Sequence, residues 1–137
     1  MAKVYVSSKV KFCAAHRLHN EALSDEENIA LYGKCNNPNG HGHNYTLEVT
    51  FKGGIDPVTG MVVDFRDVRK LLDDYIGEKF DHKYLDKEIS ELKGKVSSVE
   101  NLAVICWQLL KKVNFPAELH KVTLYETDNS AVEYYGE

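Results

Sequence analysis

Apolar and polar residues alternate from the start of the chain. Val4, Val6, Val10, Phe12 and Ala14 share one parity, while Lys3, Ser7, Lys9 and Lys11 share the other. That period of two predicts a strand with one buried face. The same alternation returns after Gly40-His41-Gly42-His43, where Tyr45, Leu47, Val49 and Phe51 interleave with Asn44, Thr46, Glu48 and Thr50. Gly53-Gly54 and Asp56-Pro57-Val58-Thr59-Gly60 then mark turns. The period changes after Asp64, a fitting helix N-cap, because Phe65, Val68, Leu71, Leu72, Tyr75 and Ile76 recur at helical spacing up to Gly77. The polar stretch from Asp81 to Lys95 predicts a loop. Ser97-Ser98-Val99-Glu100 has the Ser-x-x-Glu form of a capping box. It opens a second helix striped by Leu102, Ile105, Cys106, Leu109, Leu110 and Val113, which Pro116 stops. Val122, Leu124 and Glu126 alternate with Thr123, Tyr125 and Thr127, and Asp128-Asn129-Ser130 turns the chain into a last strand, Ala131 to Tyr135.

The predicted order is β-β-α-α-β-β. Two hairpins bracketing two helices imply an α+β domain with an antiparallel four-stranded sheet and both helices on one face. A chain of 137 residues suits a single domain spanning 1–137. The sheet so predicted has two unpaired edges, which proteins blunt or pair with another chain.

Composition narrows the partners. A formal charge of −4 is the wrong sign for a general nucleic-acid binder. The longest apolar run, Leu102 to Trp107, is far below the ~20 residues that cross a bilayer. Residues 1–5 have no apolar core of signal-peptide length, and three scattered cysteines do not form a disulfide framework. The expected location is the cytoplasm, with no nucleic-acid or membrane partner.

Chemistry concentrates in a few residues. His41 and His43 project from one face of their strand, because alternate side chains point the same way. His16 continues the apolar parity of the neighbouring strand. If these strands pair, three imidazoles converge, and three histidines with one open position are the ligand set of a catalytic zinc. The alternative for one His-x-His pair is a surface feature without function. Cys35 lies in the loop Gly33-Lys34-Cys35-Asn36-Asn37-Pro38-Asn39-Gly40, next to a lysine. A thiol beside cations or a metal becomes a usable base or nucleophile; a small filler in a turn is the alternative. Cys13 and Cys106, inside predicted elements, read as packing residues. In Asp81-His82 a carboxylate stands beside an imidazole and could fix its tautomer. Glu126 occupies the apolar parity of its strand, where a carboxylate needs a partner. A ligand with an amidine-like donor edge would serve, and so would a salt bridge within an oligomer. His19 and His120 read as surface or half-buried structural residues.

The stretch Cys35-Asn36-Asn37-Pro38-Asn39-Gly40-His41-Gly42-His43-Asn44-Tyr45 resembles the signature of the 6-pyruvoyltetrahydropterin synthase family. Ala15-His16-Arg17-Leu18, Asp56 to Val62, Asp81-His82-Lys83, Glu100-Asn101-Leu102-Ala103 and Tyr125 to Asn129 follow in the family's order. The resemblance implies a tunnelling fold, in which three subunits join their sheets into a twelve-stranded barrel and two trimers stack as a homohexamer. It implies a zinc-dependent carbon–oxygen lyase converting 7,8-dihydroneopterin triphosphate to 6-pyruvoyltetrahydropterin and triphosphate, on the route to tetrahydrobiopterin. By this resemblance His16, His41 and His43 bind Zn2+ and Cys35 is the catalytic thiol. Asp81 and His82 activate that thiol from a neighbouring subunit, and Glu126 anchors the pterin's amino-pyrimidine edge. Ser98 and Val99 stand where the family usually has two threonines, so Ser98 keeps a substrate-binding hydroxyl that Val99 lacks. Lys34 and Arg17 are the candidates for positive potential beside the triphosphate. The alternatives are 6-carboxytetrahydropterin synthase of queuosine biosynthesis, which shares the fold and substrate, and a non-catalytic zinc- or pterin-binding module. A zinc hydrolase would need a His-Glu-x-x-His element, which the sequence lacks.

Overall fold

The computed structural model describes residues 2–137; Met1, part of the N-terminal expectation above, lies outside them. β1 (Lys3–His16) and β2 (His41–Gly54) pair antiparallel along their whole length, from Lys3 opposite Gly54 to His16 opposite His41. β4 (Glu118–Thr127) pairs with β2, and β5 (Ser130–Tyr134) pairs with β4. The alternation read from the sequence holds. Val10, Phe12, Ala14, Tyr45, Leu47, Val49, Val122 and Leu124 are buried on one face. Against that face pack Val68, Leu71 and Leu72 of α2 (Phe65–Leu72), and Leu102, Ile105 and Cys106 of α5 (Val99–Lys111). Asp64 caps α2 as expected, accepting from the Arg66 amide at 2.8 Å.

The sheet has five strands, not four, in the order β3-β1-β2-β4-β5. β3 is only Lys83–Tyr84, parallel to β1 beside Ala14 and Ala15. Two residues carry no periodic signal, so the pattern could not announce it. The stretch expected to be loop from Asp81 to Lys95 also contains the short helix α4 (Leu85–Glu88) and a 3-10 turn, Ser90–Leu92. Its apolar residues Leu85, Ile89 and Leu92 are buried. The α2 segment ends close to Gly77 as expected, running three residues past it. It passes through a π-helical turn, Asp73–Gly77, into α3 (Glu78–Phe80), which seats Phe80 in the core.

A further helix, α1 (Asp25–Tyr32), was not expected. It has no apolar stripe; Ile29 and Leu31 are exposed, and the buried residue is Asn28. A reciprocal capping box holds its start, with the Glu27 amide donating to Ser24 Oγ and the Ser24 amide to Glu27 Oε1, each at 3.1 Å. Asn28 then ties it to the preceding loop through the Asn20 amide (2.8 Å) and carbonyl (2.9 Å). The capping box expected at Ser97–Glu100 does not form. Ser98 is the N-cap of α5 and accepts from the Asn101 amide at 3.2 Å. Ser97 is instead buried with its hydroxyl turned to Asp86.

Candidate metal and substrate centre

Register assembles the centre. His16 and His41 are direct partners across β1 and β2, and His43 sits opposite Ala14, one pleat further in. All three side chains therefore share a face. Their ring centroids lie 4.6 Å (His16–His41), 5.1 Å (His16–His43) and 5.0 Å (His41–His43) apart, edge to face. Each ring offers a nitrogen within 4.8 Å of the others'.

His16 is fully buried, and its Nδ1 lies 2.6 Å from the carbonyl oxygen of Ser97. A carbonyl only accepts, so Nδ1 carries the hydrogen and Nε2 presents a lone pair. That Nε2 and the Nε2 of His43 are buried without a hydrogen-bond partner. Burial is the main cause that lowers the pKa of both His41 and His43, with the nearby His16 ring adding to it and Glu126 opposing it. The neutral imidazole is the metal-binding form. Orphaned lone pairs, convergent rings and suppressed protonation all fit a divalent cation with nitrogen preference.

Glu126 stands over this group. Its Oε2 is 3.8 Å from His16 Nε2 and its Oε1 is 3.9 Å from His43 Nε2. These separations exceed a hydrogen bond, so the carboxylate, 26% exposed, keeps its acceptor capacity for another donor. The β4–β5 register shifts between Tyr125 and Thr127, which places Glu126 at an irregularity of the ladder. Such bulges re-aim a side chain. Tyr45, missed as a site residue, underlies the centre. Its ring centroid is 5.6 Å from that of His43, and its buried hydroxyl has no partner. Burial, chiefly, pushes its pKa far up and keeps it neutral. Its place in the alternation of β2 was the available signal.

Cys35 is half-buried in a 3-10 turn, Gly33–Asn36, directly after α1. Its carbonyl accepts from the Leu18 amide at 3.0 Å. Asn36 fastens the turn, donating to the Leu18 carbonyl (2.8 Å) and accepting on its own carbonyl from Arg17 Nε (2.9 Å). Arg17 is thus engaged in the loop, while Lys34 is exposed. Gly40 ends the loop at φ 73°, and a Cβ there would come within 2.5 Å of Tyr84 Oη.

Asp81 and His82 do touch each other, with His82 Nδ1 2.8 Å from Asp81 Oδ2. Asp81 Oδ1 accepts from the Cys13 amide at 2.9 Å, and the His82 amide donates to the Cys13 carbonyl at 2.6 Å. The Cys13 amide first, and the His82 ring second, hold the Asp81 carboxyl below its ordinary pKa. His82 has φ 62°, among the described residues the sole non-glycine with a positive value, and its side chain is 83% exposed. A strained, displayed imidazole is a feature of functional positions. Ser98 is half-buried at the N-cap of α5. The structure therefore joins His16, His41, His43 and Glu126 in one group and Asp81 with His82 in another. Among the described residues no side-chain hydrogen bond links Cys35 or Ser98 to either group.

The remaining cysteines and histidines divide. Cys106 is fully buried, which pushes its thiol up to about 12. Cys13 is exposed on the face of β1 away from the core, so it is not a packing residue. His19 and His120 are half-buried as expected, against Asn36 and between Tyr5 and Tyr135 respectively.

The sequence model of one protein family, described as "6-pyruvoyl tetrahydropterin synthase", matches residues 5–137. A 6-pyruvoyl tetrahydrobiopterin synthase of Homo sapiens is 51% identical over 132 residues, covering 96% of this chain and 91% of that relative. One of Poecilia reticulata is 49% identical over 134 residues, covering 97% and 90%. The solved structure of the Caenorhabditis elegans 6-pyruvoyl tetrahydropterin synthase superposes with a TM-score of 0.94 at 43% identity, over 100% of this chain and 98% of that one.

Proposed function

The chain belongs to the 6-pyruvoyl tetrahydropterin synthase family, and from that premise we propose that it is a zinc-dependent lyase. Its substrate would be 7,8-dihydroneopterin triphosphate, and its products 6-pyruvoyltetrahydropterin and inorganic triphosphate. The observation that carries the reading is the histidine trio, with buried lone pairs on His16 and His43 and the Glu126 carboxylate beside them. Relatives about half identical over nearly the whole chain carry the pyruvoyl name, which favours this reaction over the carboxytetrahydropterin alternative.

His16, His41 and His43 would hold Zn2+. The ion, when bound, supplies Lewis acidity to the substrate's side-chain hydroxyls. Glu126 accepts hydrogen bonds from the amino-pyrimidine edge and sets the ring in register, so that the side chain lies over the trio. Ser98 offers a further polar contact to the pterin. Cys35, as thiolate, removes a carbon-bound proton; His82, oriented by Asp81, relays it. The carbinol next to the ring becomes a ketone as its two hydrogens pass to the pterin ring, which goes from dihydro to tetrahydro with no outside reductant. Loss of a proton from the second carbinol carbon expels triphosphate from the neighbouring carbon and leaves an enol, which tautomerises to the second ketone. Cys35 has no hydrogen bond to the dyad within one chain, and His82 projects outward, which suits a dyad supplied across a subunit boundary. We accordingly assign the chain a trimer closing a twelve-stranded barrel, two of which stack as a homohexamer. The working location is the cytoplasm; among the described residues no helix is long and apolar enough to cross a membrane.

The test is product identification. Incubation with dihydroneopterin triphosphate should release triphosphate and yield the mass of 6-pyruvoyltetrahydropterin. A carboxy product with acetaldehyde would overturn the assignment. Cys35→Ala should abolish turnover, by ~10²-fold or more for loss of a general base, while zinc content stays unchanged. Full activity in that variant removes Cys35 from the mechanism.

A further inference from the structure

The buried His16 ring is held through a carbonyl, and that carbonyl belongs to a residue with a conspicuous anchor. Ser97 is 1% exposed. Its hydroxyl lies 2.6 Å from Asp86 Oδ1 and 3.2 Å from the Arg17 carbonyl. The other oxygen of the same carboxylate, Asp86 Oδ2, accepts the Arg17 amide at 2.7 Å. One side chain thus grips both the residue that follows His16 and the residue whose carbonyl receives the His16 Nδ1 hydrogen at 2.6 Å. The three parts come from α4, the end of β1 and the entry to α5, with Arg17 69 residues from Asp86 in sequence.

We propose that Asp86 is a positioning residue for the histidine trio. By bridging the Arg17 amide and the Ser97 hydroxyl, it fixes the Ser97 carbonyl against His16 Nδ1 and so aims the Nε2 lone pair at the metal position. The inference rests on the reading of the trio as a metal site. An imidazole hydrogen-bonded to a carbonyl through one nitrogen is restricted to one tautomer and one ring orientation, and such outer partners are typically worth about 10–100-fold in metal affinity. A carboxylate is the side chain that can accept both bonds. Asparagine can accept one and would turn its NH2 toward the other donor.

The experiment measures Zn2+ affinity by competition with a chromophoric chelator, in the full-length wild-type protein and in Asp86→Ala, Asp86→Asn and Ser97→Ala. In the metal-free proteins the ring nitrogens of His16 are followed by long-range proton–nitrogen NMR. Asp86→Ala should bind Zn2+ about 10–100-fold more weakly and lose the pure Nδ1–H signature of His16. Asp86→Asn should lose less, and Ser97→Ala, which keeps the carbonyl but not its tether, should fall with it. A merely structural carboxylate would change thermal stability and leave both readouts alone. If Asp86→Ala does not fold, Asp86→Asn and Ser97→Ala decide. Wild-type affinity with an unaltered His16 tautomer in the folded variants overturns the proposal. Failure of the wild-type protein to bind Zn2+ defeats the metal reading itself and the inference with it.

Discussion

The two ends of the β1–β2 ladder use the same residue types to opposite effect. At one end His16, His41 and His43 crowd together edge to face, and two of their nitrogens are buried with nothing to bond. At the other, His120 packs between Tyr5 and Tyr135 at ring distances of 4.7 and 5.5 Å. There Lys121 pairs with Glu133 at 2.7 Å, and Tyr135 Oη donates to the same carboxylate. Both clusters are products of strand register. They differ in whether the polar atoms find partners within the chain. Proteins rarely leave buried polar atoms unpaired, so the end that does so is the one able to take a partner from outside the chain, as its histidine trio could hold a metal ion.

The largest effect should come from testing that contrast directly. His43→Ala removes one of the three proposed ligands and should weaken Zn2+ binding by more than ~100-fold, since loss of an outer partner alone costs about 10–100-fold; turnover should fall with it. His120→Ala removes an aromatic contact and should cost at most about 1–2 kcal/mol of stability, with metal content and turnover within twofold. Chelator competition and denaturant titration read both. Equal losses of metal from the two variants would erase the distinction between the ends.

A smaller effect separates two glycines at the same two ends. Gly40 has φ 73°, and an added Cβ would meet Tyr84 Oη at 2.5 Å and the His16 carbonyl oxygen at 3.1 Å. Gly53 would meet the tip of Val62 at 2.7 Å, without a positive φ. Gly40→Ala should therefore destabilise by at least about 1–2 kcal/mol, the cost of left-handed backbone for an L-residue. It should also loosen metal binding, because the strain falls on the end of β1. Gly53→Ala needs only a shift of one methyl and should stay within about 1 kcal/mol of wild type. Urea midpoints at unchanged m-value provide the comparison. A Gly40→Ala protein as stable as the parent would show that the loop relaxes away from Tyr84.

How much of this was visible beforehand follows from the kind of signal each part carries. The long strands and the two apolar-striped helices declare themselves by period, and the convergence of His16 with His41 and His43 follows from parity once β1 and β2 pair. The helix α1 lacks a stripe because its buried residue is Asn28 and its stability lies in hydrogen bonds. Its Ser24-x-x-Glu27 box was the one legible cue. β3 is too short for any period, and its place follows from long-range bonds to Cys13, whose carbonyl accepts the His82 amide and whose amide donates to the Asp81 carboxylate. The misplaced cap at α5 shows the limit of a motif: in the sequence Ser97, with Glu100 three residues on, is the better cap than Ser98, which has Asn101 there. A long-range partner, Asp86, draws Ser97 away and leaves Ser98 to accept from Asn101. Glu126 stands out in the sequence because a carboxylate on an apolar parity is itself an anomaly, and the fold sets it beside the histidine trio.

The smallest effect concerns two carboxylates that are both held below their ordinary pKa, one at each end. For Asp81 the leading cause is the Cys13 amide, with the His82 ring next. For Glu133 it is the Lys121 ammonium, with the Tyr135 hydroxyl next. A depressed carboxyl pKa contributes stability that is in place above its unfolded-state value and is lost as pH falls through the folded one. The Cys13 amide should accordingly keep its protection from hydrogen exchange from neutral pH down past 3.8, the ordinary aspartate value, and lose it only at lower pH. Salt should not move that profile much, because the partner is a backbone dipole in a fixed position. The Lys121–Glu133 pair joins a half-buried ammonium to an exposed carboxylate at the protein surface, so the Glu133 titration should shift upward in added salt as screening weakens the attraction. Asp81→Asn should abolish the pH dependence at Cys13 while leaving Glu133 untouched. Should the Cys13 amide instead lose protection near pH 5, Asp81 is not held as its geometry requires, and the displayed His82 loses the anchor that sets its strained backbone.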